Sequence, residues 1–165
     1  MNFITYLLIA AISYLGLLAG FALGNIAPEE LKPGKKYMEA ARSFSYILAI
    51  IFLLYLKEPA IGLIVIGVIL MHLKYGKGTV AANIEYGALG VVFSLLSFDN
   101  KIFAIVASLV FIYGIAVGLL MLVKIKEKEK KRLSVGKQIA IILASNLLFF
   151  VTALPLYFLN LKIVP

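Results

Sequence analysis

Long apolar runs separated by short polar breaks limit what this chain can fold into. Phe3 to Leu23, Ser43 to Leu56, Ala60 to Leu73, Val80 to Phe98, Ile102 to Val123 and Gln138 to Leu159 hold few charges. Runs of this kind suit a bilayer, where each helix satisfies its own backbone hydrogen bonds. A hydrophobic content of 63% and a mean hydropathy of +1.05 lie outside the range of ordinary soluble domains. The expected fold class is an all-α integral membrane protein, a bundle of six transmembrane helices forming one polytopic domain over residues 1–165. The expected spans are about 3–23, 37–56, 60–73, 80–98, 102–123 and 138–159.

Lysine placement sets how these spans thread. Lys124 to Lys137, KIKEKEKKRLSVGK, is the one long polar run and carries seven of the sixteen Lys and Arg residues. With six spans the loops alternate sides, so thirteen Lys and Arg fall on one side, and Lys57, Lys101 and Lys162 on the other. Basic loops stay in the cytoplasm, which puts both termini outside a cell membrane. Lys126, Lys128, Lys130, Lys131 and Arg132 are expected to meet anionic lipid head groups. The basic run is expected to prolong the fifth helix, with Glu127 and Lys131 spaced for an i,i+4 pair.

Chemistry is restricted by what is missing. The net charge of +8 does not indicate nucleic acid, because the aromatic residues sit inside apolar runs rather than among the basic ones. Zero Cys and one His argue against thiolate, His-rich or haem sites, so no cofactor and no metal are expected. No HExxH, GxSxG or Walker A pattern occurs, and the one Asp rules out an Asp pair. The chain does not read as an enzyme.

Glu85 is the residue on which a functional reading turns. If it lay outside the membrane, the fourth span would shrink to thirteen residues, about 20 Å of helix, too short for hydrocarbon about 30 Å thick. A carboxylate inside a span is costly, and it marks a proton site, a cation ligand or a buried partner. Pairing with Lys74 or Lys77, or snorkelling to the interface, is the structural alternative. Asn83, Gly87, Gly90 and Ser94 form a small and polar stripe that Glu85 leaves by about 200°. Asn146, reckoned at comparable depth in the sixth span, is a candidate partner. Glu85, Asn83 and Asn146 are therefore the candidate ion or substrate residues.

Other features read as architecture. Gly16, Gly20 and Gly24 line one helix face and Gly114 and Gly118 another, spacings that let helix backbones approach closely. Those faces imply helix packing, within the chain, in a homo-oligomer or against a partner helix. Pro28, Pro33 and Gly34 are expected to break the chain until helix resumes near Tyr37. Glu39 and Arg42 read as a surface pair and His72 as an interfacial residue. Tyr37, Tyr75 and Tyr157 read as belt residues, and Pro155 as an interruption of the sixth span.

Divided three and three, the halves have opposite topology with an irregular third member in each, as in inverted-repeat carriers. The leading expectation is permeation or transport of a small solute or ion. A structural or assembly subunit is the alternative, and a lipid-modifying enzyme the third class.

Overall fold

The computed structural model describes residues 2–56, 59–75, 79–128 and 133–163, and among them every regular element is helical. The helices are α1 (Phe3–Tyr14), α2 (Gly16–Ile26), α3 (Leu31–Ile51), α4 (Pro59–Tyr75), α5 (Thr79–Leu95), α6 (Asn100–Lys128), α7 (Val135–Ser145) and α8 (Leu148–Ile163). Short 3-10 turns, Pro28–Glu30 and Phe52–Leu56, flank α3.

Three helical runs are long and apolar enough to cross a membrane: Phe3–Ile26, Pro28–Leu56 and Asn100–Glu127. The bent pair α7 and α8 makes a fourth if counted as one span. Helices α4 and α5 have seventeen residues each, roughly 26 Å at 1.5 Å per residue. Large apolar side chains such as Ile4, Leu8, Ile12, Leu63, Ile64 and Leu70 point outward. Water would penalise so much exposed apolar surface, whereas lipid does not. The fold is that of an α-helical protein suited to a membrane.

Helix α6 is the hub, with α1, α2, α3, α5 and α7 packed against it and α8 packed on α5. Backbone proximity makes this possible. A Cβ on Gly16 or Gly20 would run into the carbonyl oxygen of Phe111 or Ile115, and one on Gly118 into that of Leu17. Gly24 packs on Leu31, Leu119 and Leu122, and Gly114 on the Gly16–Leu17 backbone and the Tyr86 hydroxyl. The glycine faces of α2 and α6 thus meet each other inside one chain, so the α2 face is not open to a partner helix. Between α5 and α8, Gly87 meets Leu148, Gly90 meets the backbone at Phe149, and Thr152 donates its hydroxyl to the Gly87 carbonyl at 2.8 Å.

Two boundaries and one side-chain placement differ from the sequence expectation. Helix α3 begins at Leu31 rather than near Tyr37 and runs through Pro33 and Gly34. Pro33 is its third residue, where the missing N–H has no intrahelical acceptor to lose. Helix α8 carries Pro155 in its interior, and the sixth span breaks instead at Asn146–Leu147, with a bend of 42°. There Ser145 donates to the Ile141 carbonyl at 2.7 Å and Asn146 to the Ile142 carbonyl at 2.8 Å. Two consecutive side chains competing for backbone acceptors account for the bend. Tyr157 is buried, its ring stacked 4.2 Å from that of Tyr6, and so is not a belt residue. Tyr37 is exposed, and the side chain of Tyr75 lies outside the described residues.

The two ends of the bundle differ in character. Lys35 pairs with Glu127 at 3.9 Å and Lys126 Nζ reaches the Gly24 carbonyl at 3.4 Å. These contacts join the end of α2, the start of α3 and the end of α6. At the other end, Phe3 stacks 5.0 Å from Phe158, and Tyr55 donates to Asp99 at 3.3 Å. Asp99 caps α6, its Oδ1 accepting from the N–H groups of Lys101 (2.9 Å) and Ile102 (3.2 Å). The Ile102 N–H, with that of Lys101 and the Tyr55 hydroxyl, holds the Asp99 carboxyl below the usual range against its own desolvation.

Candidate functional site

The buried face of α5 runs through Ala82, Glu85, Leu89 and Val92, and Glu85 is 4% exposed. It turns away from the Asn83, Gly87, Gly90 stripe, whose glycines pack on α8, and toward α3, α4 and α6. Three partners meet it there. Tyr113 of α6 donates its hydroxyl to Oε2 at 2.7 Å. His72 of α4 places Nδ1 2.9 Å from Oε1. Arg42 of α3 brings Nη2 to 3.4 Å from Oε1 and Nε to 3.4 Å from Oε2. Both carboxylate oxygens are occupied, and four helices converge on one carboxyl group.

Arg42 and His72 correct the sequence reading. Arg42 lies on the inward stripe of α3 with Ser45, Tyr46, Ala49 and Ile50, and so turns in, 6% exposed, while Glu39 faces out. That helical periodicity is present in the sequence, beside an i,i+3 spacing to Glu39 that suggests a surface pair instead. His72 lies seven residues from buried Val65, on the same face of α4, and is 8% exposed rather than interfacial. Its ring packs 4.8 Å from that of Tyr46. Tyr113 has no distinguishing signal in a long apolar helix. It lies near the middle of α6, about 20 Å from either end, whereas His72 and Glu85 stand within about two turns of the end of α4 and the start of α5.

The remaining candidates lie elsewhere. Asn146 is fully buried at the α7–α8 break, and its amide meets Met121 Sδ (3.3 Å), the Ile142 carbonyl and Ser145, not Glu85 or Asn83. Asn83 is half-buried, and its Oδ1 has no hydrogen-bond partner among the described residues. Glu127 pairs with Lys35, and its expected partner Lys131 lies outside the described residues. Of the expected lipid-contacting cations, Lys126 is at the basic end; the Lys128 side chain and Lys130, Lys131 and Arg132 lie outside the described residues, as does Lys77. A groove between α1 and α6, lined by Ile9, Ile12, Ser13, Ala107, Ser108 and Phe111, is apolar and carries no charge. No metal-binding group of three His, Cys, Asp or Glu occurs among the described residues.

The chemistry open to such a junction is narrow. Cation ligation at Glu85 would require displacing partners already in place. A proton, by contrast, has two positions on hand, the imidazole Nδ1 and the facing carboxylate oxygen, 2.9 Å apart. Tyr113 and Arg42 hold that carboxylate in place. Comparison with protein families, curated proteins and solved structures finds no match for the chain. The class defined is a helical protein with several apolar helices of membrane-crossing length and a charged junction buried among them.

Proposed function

We propose that this chain is a six-span protein of the cell membrane that moves a small solute or ion across the bilayer, driven by a proton held at Glu85 and His72. The observation that carries the reading is the His72 Nδ1–Glu85 Oε1 contact inside an apolar bundle. Ionisable groups at membrane depth are expensive and concentrate along proton and ion paths. The six spans would be α1 with α2, α3, α4, α5, α6, and α7 with α8. Contacts at the two bundle ends, with Lys35, Lys126 and Glu127 at one and Phe3 and Phe158 at the other, support basic loops in the cytoplasm and both termini outside. A cysteine introduced at Asn2 would then react with an impermeant maleimide on intact cells, and protection of that position would refute the threading.

Proton movement is tested in liposomes with an entrapped pH dye and a potential clamped by potassium and valinomycin. Wild-type vesicles should take up protons faster than empty ones, and Glu85→Gln vesicles should match empty ones while the variant remains folded and inserted. Equal uptake by wild type and variant would end the reading.

The saturation of Glu85 by three neighbours favours a second reading, a structural or assembly subunit in which the junction ties four helices together. In that case neither wild type nor variant carries protons, and Glu85→Gln shows itself as lost thermal stability.

A further inference from the structure

Buried polar atoms pair almost without exception, so those that do not pair point to something else. Asn83 Oδ1, Tyr86 Oη and Asn146 Oδ1 are buried atoms with no hydrogen-bond partner among the described residues. The packing brings all three to the break between α7 and α8. Asn83 and Tyr86 stand one turn apart on the side of α5 that continues through Gly87, which packs on Leu148, and Gly90, which packs at Phe149. The Tyr86 ring lies 5.8 Å from that of Phe149 and 6.0 Å from that of Tyr14. Tyr14 in turn donates its hydroxyl to the Leu143 carbonyl, which also accepts the Asn146 N–H at 3.1 Å. Tyr86 and Asn146 are both fully buried.

We propose that this break is a binding site for a monovalent alkali cation, with Asn83, Tyr86 and Asn146 supplying oxygen ligands beside the carbonyl end of α7. The free atoms decide the sign of the ligand. Asn146 donates Nδ2 to the Ile142 carbonyl at 2.8 Å and to Met121 Sδ at 3.3 Å, both acceptors, so its oxygen is the end left over. A second amide oxygen at Asn83 and a phenol oxygen at Tyr86 offer lone pairs as well. The C-terminus of α7 adds roughly half a negative charge, and helix ends of this kind inside interrupted spans coordinate sodium ions. Calcium and magnesium sites draw on carboxylates, whereas this set is built from neutral oxygens, which suit a single positive charge. Asn83 lies about 200° round α5 from Glu85, so the site is separate from the junction and binds whether or not the junction carries protons.

Thermal unfolding of the purified full chain in detergent tests this in sodium, potassium or choline chloride at equal ionic strength. A ligand held by the folded state alone raises the midpoint as its concentration rises. Sodium or potassium should lift the wild-type midpoint above that in choline, and the lift should saturate. Tyr86→Phe keeps the ring and removes only an oxygen without a partner; it should lose the lift while its midpoint in choline stays at or above that of wild type. Asn146→Ala should lose the lift too, starting from a lower midpoint because the bond to Ile142 goes with it. No difference between alkali and choline salts in wild type would overturn the site and leave water as the partner of these oxygens. A lift undiminished in either variant would overturn the site as assigned. Neither outcome touches proton uptake by vesicles, which tests the Glu85 reading by itself.

Discussion

Arg42 stands four residues before Tyr46 and seven before Ala49, on the face of α3 that turns inward, and its charge follows that face to Glu85. Removing one partner of a buried pair strands the other. Arg42→Gln should therefore lower stability by about 3–5 kcal/mol. The double variant Arg42→Gln/Glu85→Gln should lose less than the sum of the two single variants, since neither charge is then stranded. Thermal unfolding of the purified proteins measures this, and strict additivity would contradict the pairing. Span length put Glu85 within an apolar helix but left open whether it turns inward or snorkels; packing turns it inward. Its partners were not legible, because spacing within one helix does not say which faces of different helices meet. His72 and Tyr113 carry no local signal beyond a position on a face.

At the scale of elements, the small-residue spacing on α2 and α6 announced close packing but not the partner. The structure supplies it, since each face is the other's neighbour. Gly20→Leu should cost at least about 1–3 kcal/mol, because the new side chain meets the Ile115 carbonyl and neither backbone can yield. Gly67→Ala in α4, where a Cβ meets nothing within 4 Å, should be neutral or raise stability by up to about 1 kcal/mol. Melting temperatures distinguish the two, and an equal effect would contradict the seam.

The Asp99 cap of α6 adds a pH dependence of known sign. Its carboxyl is held below the usual value near ~3.9, so its stabilisation is complete above that pH and is lost as pH falls through the lower, folded value. Asp99→Ala should melt below wild type near neutrality, and the gap should close on acidification; a gap independent of pH would contradict the cap. The misplaced boundaries have local causes. Proline as a helix breaker is the sequence expectation at Pro33 and Pro155. Pro33 falls in a first turn, where it breaks nothing, and the bend expected at Pro155 arises instead where Ser145 and Asn146 claim carbonyls.

The molecule gathers apolar helices on α6, and among the described residues its buried charge lies at the Glu85 junction. Hydropathy made the helical, membrane-suited character legible, since lipid leaves a chain few other options. Tertiary contact brought the internal charges together, and no hydropathy profile contains that. The central claim is that a proton resides at the Glu85–His72 contact and comes and goes there. Infrared difference spectra of the membrane-reconstituted protein across an acid step read it directly. A protonated-carboxyl C=O band should appear in wild type and be absent in Glu85→Gln. Identical bands in both proteins would place the proton elsewhere.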